Sequence, residues 1–188
     1  MEPILSKAIA EAHRTFHSLG SQEQAFQQLS AAAIAALRSG GKILTCGNGG
    51  SAADAMHLAE ELVGKYKASR RSLAAICLNA DPTLLTCIGN DFGFDEIFAR
   101  QIESLAKEND VLICFSTSGN SPNILRALAV ARAKHVKSAA LLGKGGGQAR
   151  AKADIEMIVE SNDSGRVQEA HTLILHALLE AIECELTA

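Results

Sequence analysis

Residues 42–51 read Lys-Ile-Leu-Thr-Cys-Gly-Asn-Gly-Gly-Ser, an apolar run that passes directly into a glycine-rich turn. A second run of the same design occupies residues 111–121, where Val-Leu-Ile-Cys-Phe is followed by Ser-Thr-Ser-Gly-Asn-Ser. Each turn is expected to open a helix, whose first turn presents free backbone N–H groups at its positive dipole end. Two such turns predict a phosphorylated ligand, and the hydroxyls of the second favour a polar ligand such as a sugar.

Short apolar strands alternate with helices along the chain. The predicted strands cover residues 42–46, 73–78, 111–115, 137–142 and 155–159. The predicted helices cover roughly residues 51–63, 82–89, 94–106, 121–134 and 165–186. This alternation predicts an α/β fold, a three-layer αβα sandwich with a five-stranded parallel sheet. Because such sheets bind ligands at the carboxyl ends of their strands, both turns are expected at that edge.

The N-terminal segment, residues 1–38, reads as helix with a break at Gly20-Ser21. Ser21 and Gln24 suggest a capping box for the second of its helices. This segment carries more apolar residues than one small sheet can easily cover, and the last helix has an apolar stripe of its own. The two sets are Ile4, Leu5, Ile9, Phe16, Phe26, Leu29, Ile34 and Leu37, and Leu173, Leu175, Leu178, Leu179 and Ile182. We therefore expect one domain over residues 1–188, whose N-terminal segment packs on the domain and on neighbouring copies.

The composition restricts the class of protein. The chain has 188 residues, of which 47% are hydrophobic and 4% aromatic, and its formal net charge is −3. That size fits one ordinary domain, and the charge and the scarcity of aromatics disfavour nucleic-acid binding. No stretch reaches the ~18 apolar residues that span a bilayer, and the first residues lack the pattern of a signal peptide. The five cysteines form no C-x-x-C pair and are expected as reduced thiols, so we predict a cytoplasmic protein.

The first turn begins like a dinucleotide-binding fingerprint but does not complete it. Ala52 occupies the third glycine position, and the strand that follows ends near Asn79 without the acidic residue that binds a ribose. A nicotinamide cofactor is therefore disfavoured. The turn is expected to approach a small ligand through Asn48, Gly49, Gly50 and Ser51. The alternative is a tight turn in which Ser51 caps the helix.

The second turn offers four hydroxyls within six residues, from Ser116, Thr117, Ser118 and Ser121. Ser121 precedes a proline, which predicts an N-cap with proline at the first helical position. Hydroxyls and free N–H groups that converge without a strong positive charge suit a phosphate monoester held by neutral donors. The alternative is a serine-rich surface turn.

Two helices carry further polar residues at helical spacing. His57 and Glu61 are four residues apart on one face, where they can bind a metal ion or exchange protons with a ligand. The alternative is a solvated pair, and Glu60 points about 100° away, toward solvent. Gln168, Thr172 and His176 form one polar stripe on the last helix, which indicates either a site or a wet face. His171 lies on a different side of that helix.

Two other polar segments have two interpretations each. Asn90 and Asp91 follow a predicted helix, where they either bind sugar hydroxyls or form a C-terminal turn. Lys65, Lys67, Arg70 and Arg71 form a short basic run, which is either a solvated loop or a means of steering an anionic substrate. Neither segment decides a function by itself.

Five segments, taken together, carry a family resemblance. They are residues 46–51, 54–62, 89–94, 116–121 and 166–176. In this order they resemble the sugar isomerase (SIS) family, and most closely its branch that isomerises seven-carbon sugar phosphates. The resemblance implies conversion of sedoheptulose 7-phosphate to D-glycero-D-manno-heptose 7-phosphate, the first step toward the heptose of lipopolysaccharide core or related surface glycans. It also implies a homotetramer with sites between subunits, and one Zn²⁺ per subunit.

The resemblance also implies roles for particular residues. The implied metal ligands are His57, Glu61, Gln168 and His176. The implied substrate contacts are Asn48, Gly49, Gly50, Glu61, Asn90, Asp91, Ser116, Thr117, Ser118, Ser121 and Gln168. The implied catalytic pair is Glu61 and His176. Such an isomerisation needs a base at carbon and a group that moves a proton between oxygens, and a carboxylate with an imidazole supplies both.

Two positions depart from the pattern of the SIS family. Lys65 stands where several relatives have an arginine, and Gly165 stands where some have an aspartate.

The resemblance also leaves one rival function. Some SIS proteins are not enzymes but tetrameric scaffolds that bind the bacterial replication initiator. Such a scaffold need not keep His57, Glu61 and His176, and because all three are present the sequence favours the enzyme.

Overall fold

The fold rests on one parallel sheet, which a computed structural model describes over residues 3–186. Its five strands lie in the order β2-β1-β3-β4-β5, and all four pairings are parallel. The strands are β1 Ile43–Gly47, β2 Ala75–Cys77, β3 Val111–Ser116, β4 Lys137–Leu142 and β5 Ile155–Ile158. The predicted five-stranded parallel sheet is confirmed.

Within residues 3–186 the chain forms seven α-helices. They are α1 Ile4–Ser18, α2 Glu23–Arg38, α3 Gly50–Val63, α4 Pro82–Phe92, α5 Ala99–Leu105, α6 Pro122–Ala133 and α7 Ser164–Leu186. Short 3₁₀ helices occupy Leu19–Gln22 and Phe94–Glu96, and Lys144–Ala149 form a kinked turn in which Gly145, Gly146 and Gly147 have positive φ. The predicted three-layer sandwich is therefore confirmed, with helices on both faces.

The two faces of the sheet bury separate cores because strand side chains alternate in direction. Ile43 and Ile113 point into the core that α2, α3 and α7 complete. Leu44 and Leu112, one residue further along each strand, point into the core that α5 and α6 complete. Every residue of β3 is buried, as expected for the central strand of a sheet covered on both faces.

The strand order creates a crevice between β1 and β3. From β1 the chain crosses to β2 on one side, and it then returns to β3 on the other side of β1. The helix after β1 lies on one face and the helix after β3 lies on the other. Adjacent strands whose helices diverge in this way form the switch point at which such sheets bind ligands. Both turns identified in the sequence follow these two strands.

Some element boundaries differ from the sequence predictions. The capping box of Ser21 and Gln24 is wrong: residues 19–22 form a 3₁₀ turn, and the Ser21 hydroxyl donates to the Ser18 carbonyl instead. No side-chain bond caps α2, whose N-cap is Gln22. The predicted helix over 94–106 is a 3₁₀ turn followed by α5, and α4 extends to Phe92.

Helix α1 exposes much of its apolar surface. Ile4, Leu5 and Ile9 are 70%, 73% and 61% exposed, although α1 also contacts α7 through Arg166, which donates to the Ala8 carbonyl. Packing of this segment on neighbouring copies remains a prediction. Within residues 3–186 no helix combines the length and the apolar character that a bilayer crossing requires.

Candidate active site

The turn after β1 is held tightly against β2. The Gly47 N–H donates to Asn79 Oδ1 at 3.2 Å, and Asn79 Nδ2 donates to the Gly47 carbonyl at 2.9 Å. Gly49 has a φ of +58° and is the N-cap of α3, so the alternative in which Ser51 caps the helix is wrong. Ser51 is buried in the first turn of α3. Sequence reasoning assigned Asn79 no role, but its side chain holds the Gly47 peptide from which the turn begins.

A pair of amides joins the two turns across the crevice. Asn48 Nδ2 donates to Asn123 Oδ1 at 2.8 Å, and Asn123 Nδ2 donates to Asn48 Oδ1 at 2.9 Å. Asn123 lies in the first turn of α6 and is 1% exposed. Each amide keeps one N–H and one acceptor direction for another partner. Sequence reasoning missed Asn123, because only the folded chain brings residues 48 and 123 together.

The turn after β3 uses part of its hydroxyl content internally. Ser116 Oγ is buried and accepts the Gly119 N–H at 3.0 Å, and Ser118 Oγ accepts the Asn120 N–H at 3.2 Å. Ser121 occupies the predicted N-cap of α6 with proline after it, but its side chain makes no capping bond. The Ser121 hydroxyl is therefore not committed to the helix. The two internal bonds hold the turn in a compact shape.

A glycine-rich segment braces this second turn from behind. A methyl group added at Gly119, where φ is +63°, would lie 1.9 Å from the Gly146 carbonyl oxygen. One added at Gly143 would lie 2.7 Å from the Thr117 carbonyl oxygen and closer still to a valine side chain. Backbone therefore packs directly on backbone here, which only glycine permits. Sequence reasoning assigned the glycines of residues 143–147 no part in the site.

Helices α3 and α7 face one another along matched polar positions. Gly50 lies against Gln168, since a methyl group at Gly50 would be 2.4 Å from Gln168 Nε2. One turn further on, Thr172 Oγ1 donates to Asp54 Oδ1 at 2.9 Å. Burial raises the pKa of Asp54, while the Thr172 hydroxyl and His57 partly oppose that effect. The polar stripe of α7 therefore faces α3 rather than solvent.

The next positions along these helices place His57 beside both predicted catalytic residues, Glu61 and His176. The rings of His57 and His176 have centroids 4.9 Å apart and meet edge to face at 82°. His57 Nε2 lies 3.6 Å from Glu61 Oε1. Ligand atoms of His57, Glu60 and Glu61 all lie within 4.8 Å of one another, a spacing that permits a shared metal ion. Glu60 is exposed, as predicted, although its carboxylate belongs to this group.

His171 lies on the other side of α7 and belongs to the core. Its ring meets Phe115 with centroids 5.9 Å apart and is fully buried. Burial lowers its pKa to about 4, so the imidazole is neutral at physiological pH. The separation of His171 from the stripe of His176, expected from helical spacing, is confirmed.

Asn90 and Asp91 are not part of this group within one chain. Both are exposed in the last turn of α4, where Asn90 Nδ2 donates to Asp91 Oδ1 at 2.7 Å. Within residues 3–186 no hydrogen bond or ion pair connects them to α3 or α7. The substrate contacts suggested for them remain predictions.

The basic run after α3 is only partly solvated. The Arg70 and Glu183 side chains are 2% and 5% exposed and form an ion pair at 3.0 Å between Nε and Oε1. Lys67 is exposed and pairs with Glu180. The interpretation of the whole run as a solvated loop is therefore wrong for Arg70. Glu183 gave no signal in the sequence, because nothing there placed the end of α7 beside this loop.

Comparison with known proteins indicates one family. A family model described as the SIS domain matches residues 9–143. A phosphoheptose isomerase of Aliarcobacter butzleri is 44% identical over 184 residues, which are 98% of this chain and 97% of that protein. The solved phosphoheptose isomerase of Neisseria gonorrhoeae superposes with a TM-score of 0.90 at 37% identity, over 96% of this chain and 97% of that one. That of Francisella tularensis gives 0.92 at 34% identity, over 96% of each chain.

The chain therefore belongs to the SIS-domain family. Within that family it groups with the phosphoheptose isomerases, so it is an enzyme of the isomerase class.

Proposed function

We propose that this chain converts sedoheptulose 7-phosphate to D-glycero-D-manno-heptose 7-phosphate. The observation that carries the proposal is the meeting of α3 and α7, which groups His57, Glu61 and His176 directly behind the turn that follows β1. The names of its relatives supply the class of substrate, a phosphorylated seven-carbon sugar. The rival function, a non-catalytic scaffold for the replication initiator, does not require this grouping.

The reaction moves a proton between C2 and C1 of the sugar through an enediol or enediolate. Glu61 takes the proton from carbon, and His176 moves a proton between the two oxygens. His176 suits that task because a neutral imidazole has one nitrogen that donates a proton and one that accepts it. Glu61 is four residues from His57 on one helix face, so both act on the same region of the sugar.

The phosphate is expected at the turn after β3. Thr117, Ser118 and Ser121 supply hydroxyls and backbone N–H groups at the first turn of α6, and Ser116 shapes the turn from its buried position. Asn48, Gly49 and Gly50 form the wall along the sugar. Lys65, in the loop after α3, adds positive charge without the forked geometry of an arginine.

The donor set on α3 and α7 fits a zinc ion. Imidazole, carboxylate and amide donors are ligands that Zn²⁺ accepts, and His57 Nε2 lies 3.6 Å from Glu61 Oε1 while the His57 ring meets the ring of His176. His57, Glu61, Gln168 and His176 would hold one ion per subunit. When bound, the ion would polarise the sugar carbonyl and stabilise the negative charge of the enediolate.

The functional unit is expected to be a cytoplasmic homotetramer with sites between subunits. The exposed apolar surface of α1 supports assembly, since Ile4, Leu5 and Ile9 have little cover within one chain. Asn90 and Asp91 are exposed and separate from α3 and α7, which is consistent with their serving a site of a neighbouring copy. The product would supply nucleotide-activated heptose for lipopolysaccharide core or other surface glycans.

Turnover of sedoheptulose 7-phosphate, with incorporation of solvent deuterium, tests the proposal. Glu61→Gln and His176→Ala should each lower kcat by about 10² to 10⁴-fold, the range of a lost acid or base. Glu180→Gln is the control, because it removes an exposed charge on α7 outside the catalytic pair and the candidate metal ligands. A chelator should lower activity, and Zn²⁺ should restore it. A folded wild-type chain that exchanges no deuterium would exclude the isomerase and favour the scaffold.

A further inference from the structure

A buried carboxylate on α7 organises the loop that follows α3. Glu183 accepts the backbone N–H groups of Tyr66, Lys67 and Ala68 at 3.0, 2.9 and 2.8 Å, in addition to its ion pair with Arg70. Burial raises the pKa of Glu183, but the three backbone donors and the guanidinium outweigh it, so that the pKa lies below its usual range. Four donors on one ionised group define the course of this loop closely.

Arg70, which pairs with that carboxylate, also caps the C-terminal end of α3. The Arg70 guanidinium donates to the carbonyls of Glu61 at 2.7 Å and Leu62 at 2.9 Å. These carbonyls belong to the last turn of the helix, where the C=O groups have no intrahelical N–H to accept. One ion pair therefore fixes both the end of the helix that carries Glu61 and the loop beyond it.

The loop places an aromatic ring on the candidate catalytic imidazole. The rings of Tyr66 and His176 are stacked, with centroids 5.4 Å apart and planes 14° from parallel. His57 meets the same imidazole edge to face. The His176 ring thus has a parallel aromatic neighbour and a perpendicular one, which together limit its rotation about χ2.

We propose that Tyr66 is a positioning residue, whose ring fixes the orientation of the His176 imidazole while the Arg70–Glu183 pair holds Tyr66 in place. An imidazole that moves protons between two oxygens of one substrate must keep its nitrogen aimed at them. A displacement of about 1 Å can lower a rate about 10²-fold. The kinetic consequence of this inference rests on the proposed function, whereas the orientation of the ring does not.

Paired substitutions at one position separate stacking from the phenol hydroxyl. Tyr66→Phe keeps the ring and should leave kcat and KM within about twofold of the wild type. Tyr66→Leu removes the stacking and should lower kcat about 10- to 100-fold, with KM changed less than about threefold. The kcat of both variants is calculated from the concentration of folded protein. The melting temperature and the oligomeric mass of each variant are measured as well. Glu180→Gln, an exposed change on α7, the helix that carries His176, should leave kcat and KM unchanged.

A rise in KM at constant kcat in Tyr66→Leu would overturn the inference, because Tyr66 would then be a substrate contact. A fall in kcat equal in Tyr66→Phe and Tyr66→Leu would also overturn it, since the hydroxyl rather than the stacked ring would be responsible. Unchanged kinetics in Tyr66→Leu, beside an inactive His176→Ala, would refute positioning and leave the isomerase intact.

A measurement without substrate tests the orientation of His176 independently of the proposed isomerase function. Histidine labelled with ¹³C at Cε1 gives one resonance for His176, assigned by its loss in His176→Ala. Because the Tyr66 ring shifts that resonance, it should move in Tyr66→Leu and stay near the wild-type position in Tyr66→Phe. An unmoved resonance in Tyr66→Leu overturns the inference. If the wild-type chain shows no turnover, the proposed function fails and this resonance alone decides the orientation of His176.

Discussion

Replacing Gly50 with alanine should disable the site and leave the fold almost unchanged. The new methyl carbon would lie 2.4 Å from Gln168 Nε2, 2.6 Å from its Cδ and 2.7 Å from its Oε1. Ordinary contacts of this kind begin near 3.5 Å, so the carboxamide must retreat by about 1 Å. It can do so, because it is the far end of a flexible side chain and not backbone.

The two effects of Gly50→Ala on stability nearly cancel. An off-rotamer Gln168 costs about 0.5–1.5 kcal/mol, and alanine in place of glycine in a helix returns about 0.5–1 kcal/mol. The free energy of unfolding in urea should therefore stay within about 1 kcal/mol of the wild type. Catalysis should suffer far more, because a 1 Å displacement corresponds to about 10²-fold in kcat/KM, or about 2.7 kcal/mol.

A double-mutant cycle decides whether Gly50 acts through Gln168. If it does, Gly50→Ala combined with Gln168→Ala should be no slower than Gln168→Ala alone. Gly20→Ala, where the methyl group meets nothing within 4 Å, is the control for a glycine change elsewhere. Additive losses in the cycle, or a Gly50→Ala enzyme within about threefold of the wild type, would refute this reasoning.

Three further substitutions test the supports of the site. Glu183→Gln should lower the free energy of unfolding by about 3 kcal/mol near neutral pH. Because the folded-state pKa of Glu183 is lowered, its stabilisation is present above about pH 4.3 and fades as the pH falls further, so the stability difference between the wild type and Glu183→Gln in denaturant titrations should be smaller at pH 3 than at pH 7. Gly119→Ala collides with the Gly146 carbonyl oxygen at a positive φ, and its melting temperature should fall by several degrees. Asn123→Ala leaves Asn48 without its amide partner, which should raise KM more than it lowers kcat and cost about 1–3 kcal/mol of stability by urea titration.

The sequence predicted the layers of the fold, and which residues share a helix face, better than the contacts between distant segments. Helical spacing put Gln168, Thr172 and His176 on one face, and the structure shows that face turned toward α3. Such spacing does not state which helix lies opposite. Asn123 and Glu183 act on segments far away in the sequence, and each resembles an ordinary helix residue until the chain is folded. Their roles could not be read from periodicity, because periodicity is local and the contacts are not.

The strand order brings two unlike turns to one crevice, where the proposed function has them bind one ligand. They follow neighbouring strands, yet α3 and α6 leave toward opposite faces of the sheet, so the turns diverge and a crevice opens between them. The Asn48–Asn123 pair spans that crevice and holds its two sides at a fixed separation. In the proposed function, a substrate bound there has its phosphate on the α6 side, braced by the segment around Gly146, and its reacting carbons on the side of α3 and α7. Under that proposal the placement of β1 beside β3 divides binding from chemistry, and the Asn48–Asn123 amides keep the two parts in register.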